Sequence, residues 1–195
     1  MKIRKILCVF APTLLLAFCG TGFCPDPVEV RFNYSRILTF APENAFGGEV
    51  SLGIRLTDTT RVDYSLPFGL AQLGFQKAYG LSCPDPFFYV PNQTITGVRI
   101  KTLHKISPAF PAFSDVSNSF FALPNEGFLF IPVDEFIRYH WGIRVEFSDD
   151  IPFSEFQIYL RERIDHPFAR FVVTVSLSDG SQLSDTTRTI NITSN

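Results

Sequence analysis

Hydrophobic and polar residues alternate most regularly near the C-terminal end of the chain. Residues 171–178 read Phe-Val-Val-Thr-Val-Ser-Leu-Ser, with a period of two that is typical of a half-buried β-strand. Asp179-Gly180 then favours a turn, because Gly tolerates a positive φ and Asp can bond its own backbone. In residues 186–193, Ile190 and Ile192 fall on one face. We therefore predict a terminal β-hairpin that closes a sheet.

Similar short patterns recur earlier in the chain. They cover residues 28–34, 37–40, 50–57, 94–103, 143–147 and 156–160, whereas the continuous apolar run at residues 127–133 predicts a buried strand that ends at Pro132. Asp115 and Asp134 could each begin a short helical turn, but no stretch has the long helical period that a βαβ unit requires. The pattern predicts an all-β fold, an antiparallel β-sandwich or open barrel of about eight short strands with one or two short helical turns.

The composition agrees with a folded β domain. The 195 residues are 46% hydrophobic and 18% charged, and they include 22 Phe and 14 Pro. Such a chain is too apolar to be disordered and is long enough for one buried core. We expect residues 23–195 to form a single domain.

The first 22 residues have the order of a signal peptide. Lys2, Arg4 and Lys5 precede an apolar stretch over residues 6–18, which is too short to span a bilayer stably. Residues 16–20, Leu-Ala-Phe-Cys-Gly, are similar to a bacterial lipobox, which would make Cys19 the acylated first residue; cleavage after Gly22 is the alternative. We expect export to the outer membrane, periplasm or cell surface, with a membrane partner if Cys19 is lipidated.

Charge excludes one class of partner. The whole chain has 17 basic and 19 acidic residues, and removal of residues 1–22 would leave a net charge of −5. Because phosphate contacts require a basic patch, nucleic-acid binding is not expected.

Two free thiols would remain after export, because Cys8 is removed and Cys19 is either acylated or removed. Cys24 and Cys83 each begin a Cys-Pro-Asp-Pro tetrapeptide. In an oxidising compartment this pair predicts a disulfide, whereas two cysteines without a nearby His supply too few ligands for a metal site.

No motif in the chain names a reaction. A phosphate-binding loop, a nucleophile elbow and a zinc-binding His-Glu-x-x-His helix are all missing from the sequence. His104, His140 and His166 share no ligand spacing, and adjacent acidic residues on a strand would point to opposite faces. We predict no catalytic residues, no metal site and no cofactor.

The only Trp lies in Tyr139-His140-Trp141. If this segment is exposed, it could form a ligand platform that stacks on a sugar or a partner's side chain. Packing of Trp141 in the core is the alternative.

A resemblance follows from the order of short motifs. A lipoprotein-like start and a Cys-Pro motif are followed by residues 78–84, Ala-Tyr-Gly-Leu-Ser-Cys-Pro, by residues 94–100, Thr-Ile-Thr-Gly-Val-Arg-Ile, and by the strand and Asp-Gly turn described above. This order resembles an uncharacterised family of Bacteroidetes-type exported lipoproteins, which implies an envelope location and supplies no catalytic residues. Two Asp-Thr-Thr triplets, at residues 58–60 and 185–187, also match the O-glycosylation signal of exported proteins in that group, with Thr59 and Thr186 as acceptors. Ordinary polar turn residues are the alternative.

Two functional hypotheses follow. The first is a non-enzymatic cell-envelope domain with a binding or structural role in a surface or periplasmic assembly, whose partner could be a protein or a glycan. The second is a secreted hydrolase, or a glycan-binding module, with a site built from loops. A hydrolase would place His140 or His166 beside a carboxylate in a cleft.

Overall fold

A computed structural model describes residues 28–46, 48–58, 87–124, 129–139, 143–148 and 151–193. Within these residues the fold is all-β, as predicted, with fourteen strands and one α-helix, α1 (Val133–Tyr139). The strands outnumber the eight expected, because short strands also form at residues 44–46, 87–91, 120–122 and 168–169, where the sequence has no sustained alternation. They are β1 (Val28–Phe32), β2 (Arg36–Phe40), β3 (Asn44–Phe46), β4 (Val50–Thr57), β5 (Phe87–Pro91), β6 (Ile95–Thr102), β7 (Phe120–Ala122), β8 (Ile131–Pro132), β9 (Arg144–Ser148), β10 (Ile151–Leu160), β11 (Phe168–Ala169), β12 (Phe171–Leu177), β13 (Gln182–Thr186) and β14 (Ile190–Thr193).

The largest sheet has the strand order β2-β4-β10-β7-β8, and β9 also pairs with β10. β4 and β10 are antiparallel over eight residue pairs, from Thr57 opposite Phe153 to Val50 opposite Leu160. Leu52, Ile54 and Ile158 are fully buried on the inner face of this pair. The predicted alternation of β4 is therefore confirmed, because every second side chain enters the core.

A second antiparallel sheet has the order β13-β12-β6. Phe171, Val173 and Val175 of β12 are fully buried, as their period of two predicts. The ring of Phe171 meets that of Phe120 edge to face, with 5.6 Å between centroids, and both belong to one hydrophobic core. These contacts give the fold its sandwich-like core.

The predicted terminal hairpin is only partly correct. β12 turns at Asp179-Gly180 and pairs with β13, whereas β14 leaves this sheet and lies between β11 and β3. β14 is antiparallel to β11 and parallel to β3. The chain changes sheets after Thr187, whose backbone N–H and hydroxyl oxygen both bond the backbone of Phe171.

The predicted helical turns are also found. Asp115 accepts hydrogen bonds from the backbone and side chain of Ser117, the first residue of a short 3₁₀ turn (Ser117–Ser119), and α1 begins beside Asp134. By contrast, the prediction of a buried strand over residues 127–133 is wrong: Leu129 and Phe130 are 78% and 55% exposed. The apolar run instead enters the two-residue strand β8 and then α1.

The chain divides into two compact units. The larger comprises residues 31–62 and 89–195 and contains the core described above. The smaller comprises residues 1–30 and 63–88, of which the structure describes residues 28–30 in β1 and 87–88 in β5. β1 and β5 are neighbours in a two-stranded sheet.

Candidate functional site

An aromatic groove lies at one end of the β2-β4-β10-β7-β8 sheet. Its volume is about 670 Å³, which is within the usual range for small-molecule sites. The lining residues come from the start of β4, from β7, from the approach to β8 and from the end of β10. They are Glu49, Val50, Ser51, Phe121, Phe130, Tyr159, Leu160 and Arg161, and we call this set the aromatic groove.

Tyr159 is the central residue of the groove. Along β10 its neighbours Ile158 and Leu160 point into the core, so the alternation of the strand turns Tyr159 to the outer face. Ser51 on β4 and Phe121 on β7 are its direct cross-strand partners. The register of three strands therefore brings these side chains together on one surface.

The aromatic rings give the groove an apolar surface. The ring of Phe130 meets that of Tyr159 at 5.2 Å in an edge-to-face arrangement. The guanidinium of Arg161 lies 5.4 Å from the centre of the Phe121 ring, within the range of a cation–π contact. Phe130 is 55% exposed, so much of its ring is available to a ligand.

Polar groups lie at the edges of this apolar surface. The Tyr159 hydroxyl donates a hydrogen bond to Gln157 Oε1 at 2.9 Å, which orients the phenol and leaves its oxygen able to accept another. Glu49 and Arg161 are exposed and carry opposite charges. The groove can therefore offer apolar ring faces together with donors and acceptors.

Gly48 sets the position of Glu49. Its φ is +81°, a conformation that Gly adopts without strain, and a Cβ there would lie 3.0 Å from Arg163 Cγ and 3.1 Å from Ile164 N. The Glu49 backbone N–H donates to the carbonyl of Phe46 at 3.3 Å. The turn between β3 and β4 is thus packed closely against residues 163–164.

The predicted ligand platform is described only in part. Tyr139, the last residue of α1, is 54% exposed, whereas His140 and Trp141 lie outside the described residues. The predicted signal peptide, the lipidation site Cys19, the disulfide pair Cys24 and Cys83, and the glycosylation site Thr59 also lie outside them.

The second Asp-Thr-Thr triplet makes structural contacts. Asp185 Oδ2 accepts hydrogen bonds from Thr39 on β2, while Thr187 is fully buried and bonds Phe171. Thr186 is half-buried at the end of β13. O-glycosylation of Thr186 stays a prediction, and Asp185 and Thr187 have packing roles that do not depend on it.

Two histidines that are distant in sequence contact the same phenyl ring. His104 and His166 both contact the ring of Phe168 edge to face, at 5.1 Å and 4.4 Å. His166 Nδ1 also lies 3.1 Å from the carbonyl oxygen of Phe168. Within the part of the chain that the structure describes, no group of three His, Cys, Asp or Glu side chains could hold a metal ion.

The sequence alone does not indicate the aromatic groove, because its residues come from four separate segments of the chain. Tyr159 could have been found, since its strand pattern places it opposite to Ile158 and Leu160. Phe121 and Phe130 could not, because short β7 and β8 give too little periodicity to fix a face.

A smaller hollow lies on the outer face of the β13-β12-β6 sheet. It has a volume of about 260 Å³ and is lined by Gly97, Val98, Arg99, Thr174, Ser176 and Gln182. The described residues that line it include no aromatic ring, so they offer a ligand less apolar contact area than the aromatic groove does.

No family model matches the chain, and no curated protein matches it. Among solved structures, the chain is similar to the C-terminal domain of the Streptococcus agalactiae AgI/II polypeptide BspA, with 11% identity and a TM-score of 0.23. The match covers 76% of this chain and 43% of that one, and a second structure, BspA_C_WT, gives the same values. The chain thus spans less than half the length of either structure.

No helix within the described ranges is both long and apolar enough to cross a membrane.

Proposed function

We propose that this chain is an exported, non-enzymatic domain of the cell envelope that binds carbohydrate in the aromatic groove. The observation that supports this proposal most directly is the cluster of Phe121, Phe130 and Tyr159 rings beside polar and charged side chains. The aliphatic C–H face of a pyranose ring carries slight positive charge and packs well on the negative face of an aromatic ring. The sugar hydroxyls can then bond groups at the edge of the groove.

The charges in the groove favour a neutral saccharide. Glu49 can accept hydrogen bonds from hydroxyl groups, and Arg161 can donate them. Because these two charges are opposite, their fields partly cancel, and neither a strongly acidic nor a strongly basic ligand is preferred. A volume of about 670 Å³ suits a short oligosaccharide better than a large protein epitope.

A binding role also agrees better with the groove than hydrolysis does. Glycoside hydrolysis in most enzymes uses two carboxyl groups on opposite sides of the scissile bond. Glu49 is the one carboxylate among the described residues that line the groove. The hydrolase hypothesis placed either His140 or His166 beside a carboxylate: His166 contacts Phe168, and His140 lies outside the described residues.

The carbohydrate proposal can be tested by screening the purified chain on a glycan array and measuring the best ligands by calorimetry. Phe130→Ala should weaken binding about tenfold or more, because it removes an exposed ring face without opening the core. Phe46→Ala is the matched control, since Phe46 is 68% exposed on β3 and lies outside the groove lining. Equal affinity of both variants, or the absence of any glycan ligand, would contradict the proposal, and recovery of a cleaved saccharide would support the hydrolase.

Export has a separate test. Protein recovered from the cell envelope should lack residues 1–18 if Cys19 is acylated, or residues 1–22 if cleavage follows Gly22. Mass spectrometry of non-reduced tryptic fragments should link the peptides that contain Cys24 and Cys83. If both cysteines are found as free thiols, the disulfide prediction is wrong. If cytosolic protein keeps an intact N-terminus, the export prediction is wrong.

A further inference from the structure

The loop between β6 and the 3₁₀ turn presents an apolar tip to solvent. Pro108, Ala109, Pro111, Ala112 and Phe113 are all exposed. Phe113 is 71% exposed and has a φ of 64°. A left-handed conformation is unusual for a bulky aromatic residue, and such strain persists only where surrounding contacts enforce it.

Hydrogen bonds to Thr102 hold the loop in this conformation. The Phe113 backbone N–H donates to the Thr102 carbonyl at 2.9 Å, and the Thr102 N–H donates to the Ser114 carbonyl at 3.0 Å. The Thr102 hydroxyl donates to the Pro111 carbonyl at 3.0 Å, and Thr102 is fully buried. Phe110 is partly buried and packs against the core. The backbone, rather than side-chain packing, therefore keeps the Phe113 ring in solvent.

The charges around the loop are mainly positive. Residues 104–114 contain the basic residue Lys105 and no acidic residue, and exposed Lys101 lies just before them. Asp115, at the base of the loop, accepts hydrogen bonds from Ser117 and pairs with Arg99 at 3.4 Å. Asp165 contacts the loop through its backbone at Ile106, away from the tip.

We propose that this loop is a membrane-contacting surface, in which Phe113 enters the boundary between headgroups and acyl chains of an anionic phospholipid bilayer. Lys101 and Lys105 would lie near the lipid phosphates, since basic side chains at the base of an apolar tip match the polarity of the bilayer interface. A polar protein surface fits less well, because the exposed side chains of the tip carry no hydrogen-bonding group and two of its residues are prolines without an N–H. This inference is independent of carbohydrate binding in the aromatic groove.

The test measures flotation of the full-length chain with phosphatidylcholine vesicles that contain about one third phosphatidylglycerol. Phe113→Asn should lower the partition coefficient about fivefold or more, because Asn cannot bury an apolar surface in the bilayer. The same substitution should leave the melting temperature equal or higher, since Asn accepts the left-handed conformation more readily than Phe does. Lys105→Gln should weaken partitioning on the anionic vesicles about fivefold and have little effect on pure phosphatidylcholine.

Matched variants separate this surface from the rest of the chain. Phe46→Asn removes another highly exposed ring and should leave partitioning unchanged, as should Phe130→Ala in the groove. All variants share the same N-terminal segment, so any binding through that segment is common to them. If Phe113→Asn partitions like Phe46→Asn, or if the unsubstituted chain does not bind the vesicles, the proposal is wrong.

A spectroscopic measurement keeps the test independent of flotation. Phe113→Trp adds an indole at the tip, and the signal of Trp141 can be subtracted with the unsubstituted chain. The added fluorescence should shift to shorter wavelength with the anionic vesicles and be quenched by brominated lipid. An unchanged spectrum would overturn the proposed insertion.

Discussion

The carboxylate of Asp185 on β13 bonds Thr39 on β2, which precedes it by 146 residues. Asp185 Oδ2 accepts from the Thr39 backbone N–H at 2.7 Å and from its hydroxyl at 2.9 Å. β2 and β13 are edge strands of two different sheets. One side chain therefore satisfies an edge donor and joins the two layers of the fold.

Asp185→Ala should lower the free energy of unfolding by about 2 kcal/mol, because it leaves a half-buried N–H and a hydroxyl without their charged acceptor. Urea denaturation measures this change. Asp165→Asn, in an exposed loop, is the control and should have little effect. A loss no greater than that of the control would show that water replaces the Asp185 contact.

Tyr34 should reduce stability at alkaline pH. Burial raises the pKa of the Tyr34 phenol above its ordinary value of 10.0, although the hydrogen bond with Ser154 acts in the opposite direction. The native state therefore holds this proton more tightly than the unfolded chain does. The stabilising contribution is complete below about pH 10 and is lost as the pH rises through the native pKa.

Tyr34→Phe provides the check on this prediction. The hydroxyls of Tyr34 and Ser154 are 2.6 Å apart, and Ser154 is fully buried. The variant should lose about 1 to 3 kcal/mol near neutral pH, because the Ser154 hydroxyl loses its partner. It should also show a smaller decline above about pH 10 in urea titrations. An unchanged alkaline decline would assign that decline to other groups.

Asp179 should make the stability of the fold depend on pH in the acidic range. Hydrogen bonds from Gln93 and Ser181 lower the pKa of Asp179 from 3.8 to about 2. Its contribution is therefore present above about pH 4 and is lost as the pH falls through about 2. Asp179→Asn should make the urea midpoint of unfolding less dependent on pH between about 2 and 4. If the midpoint of the variant changes with pH as that of the unsubstituted chain does, the prediction is wrong.

Two glycines with positive φ allow the cost of backbone strain to be compared with the cost of a steric clash. Gly48 has a φ of +81° and contacts residues 163–164, whereas Gly180 has a φ of +85° and open space around it. Gly180→Ala should cost about 1 kcal/mol from backbone strain, and Gly48→Ala about 3 kcal/mol because a steric clash is added. Thermal unfolding compares the two variants. Equal losses would show that residues 163–164 move aside.

The sequence predicts the layers of this fold better than its site. The alternation in residues 50–57 and 171–177 identifies the buried faces of β4 and β12, because one period-two pattern fixes a whole strand. The sequence of β14 does not predict which strand it pairs with, because its partner β3 lies far away in the chain. The aromatic groove has the same origin: Phe121, Phe130 and Tyr159 become neighbours only through strand register.

The parallel pairing of β14 with β3 affects when the molecule can fold. Asn44 aligns with Asn191, so β3 has to wait for a segment that the ribosome makes nearly 150 residues later. Non-local pairings of this kind form slowly, because a long loop must close first. A nascent chain without β14 therefore cannot complete this sheet, and the edge of β3 stays unpaired until residues 190–193 have been synthesised.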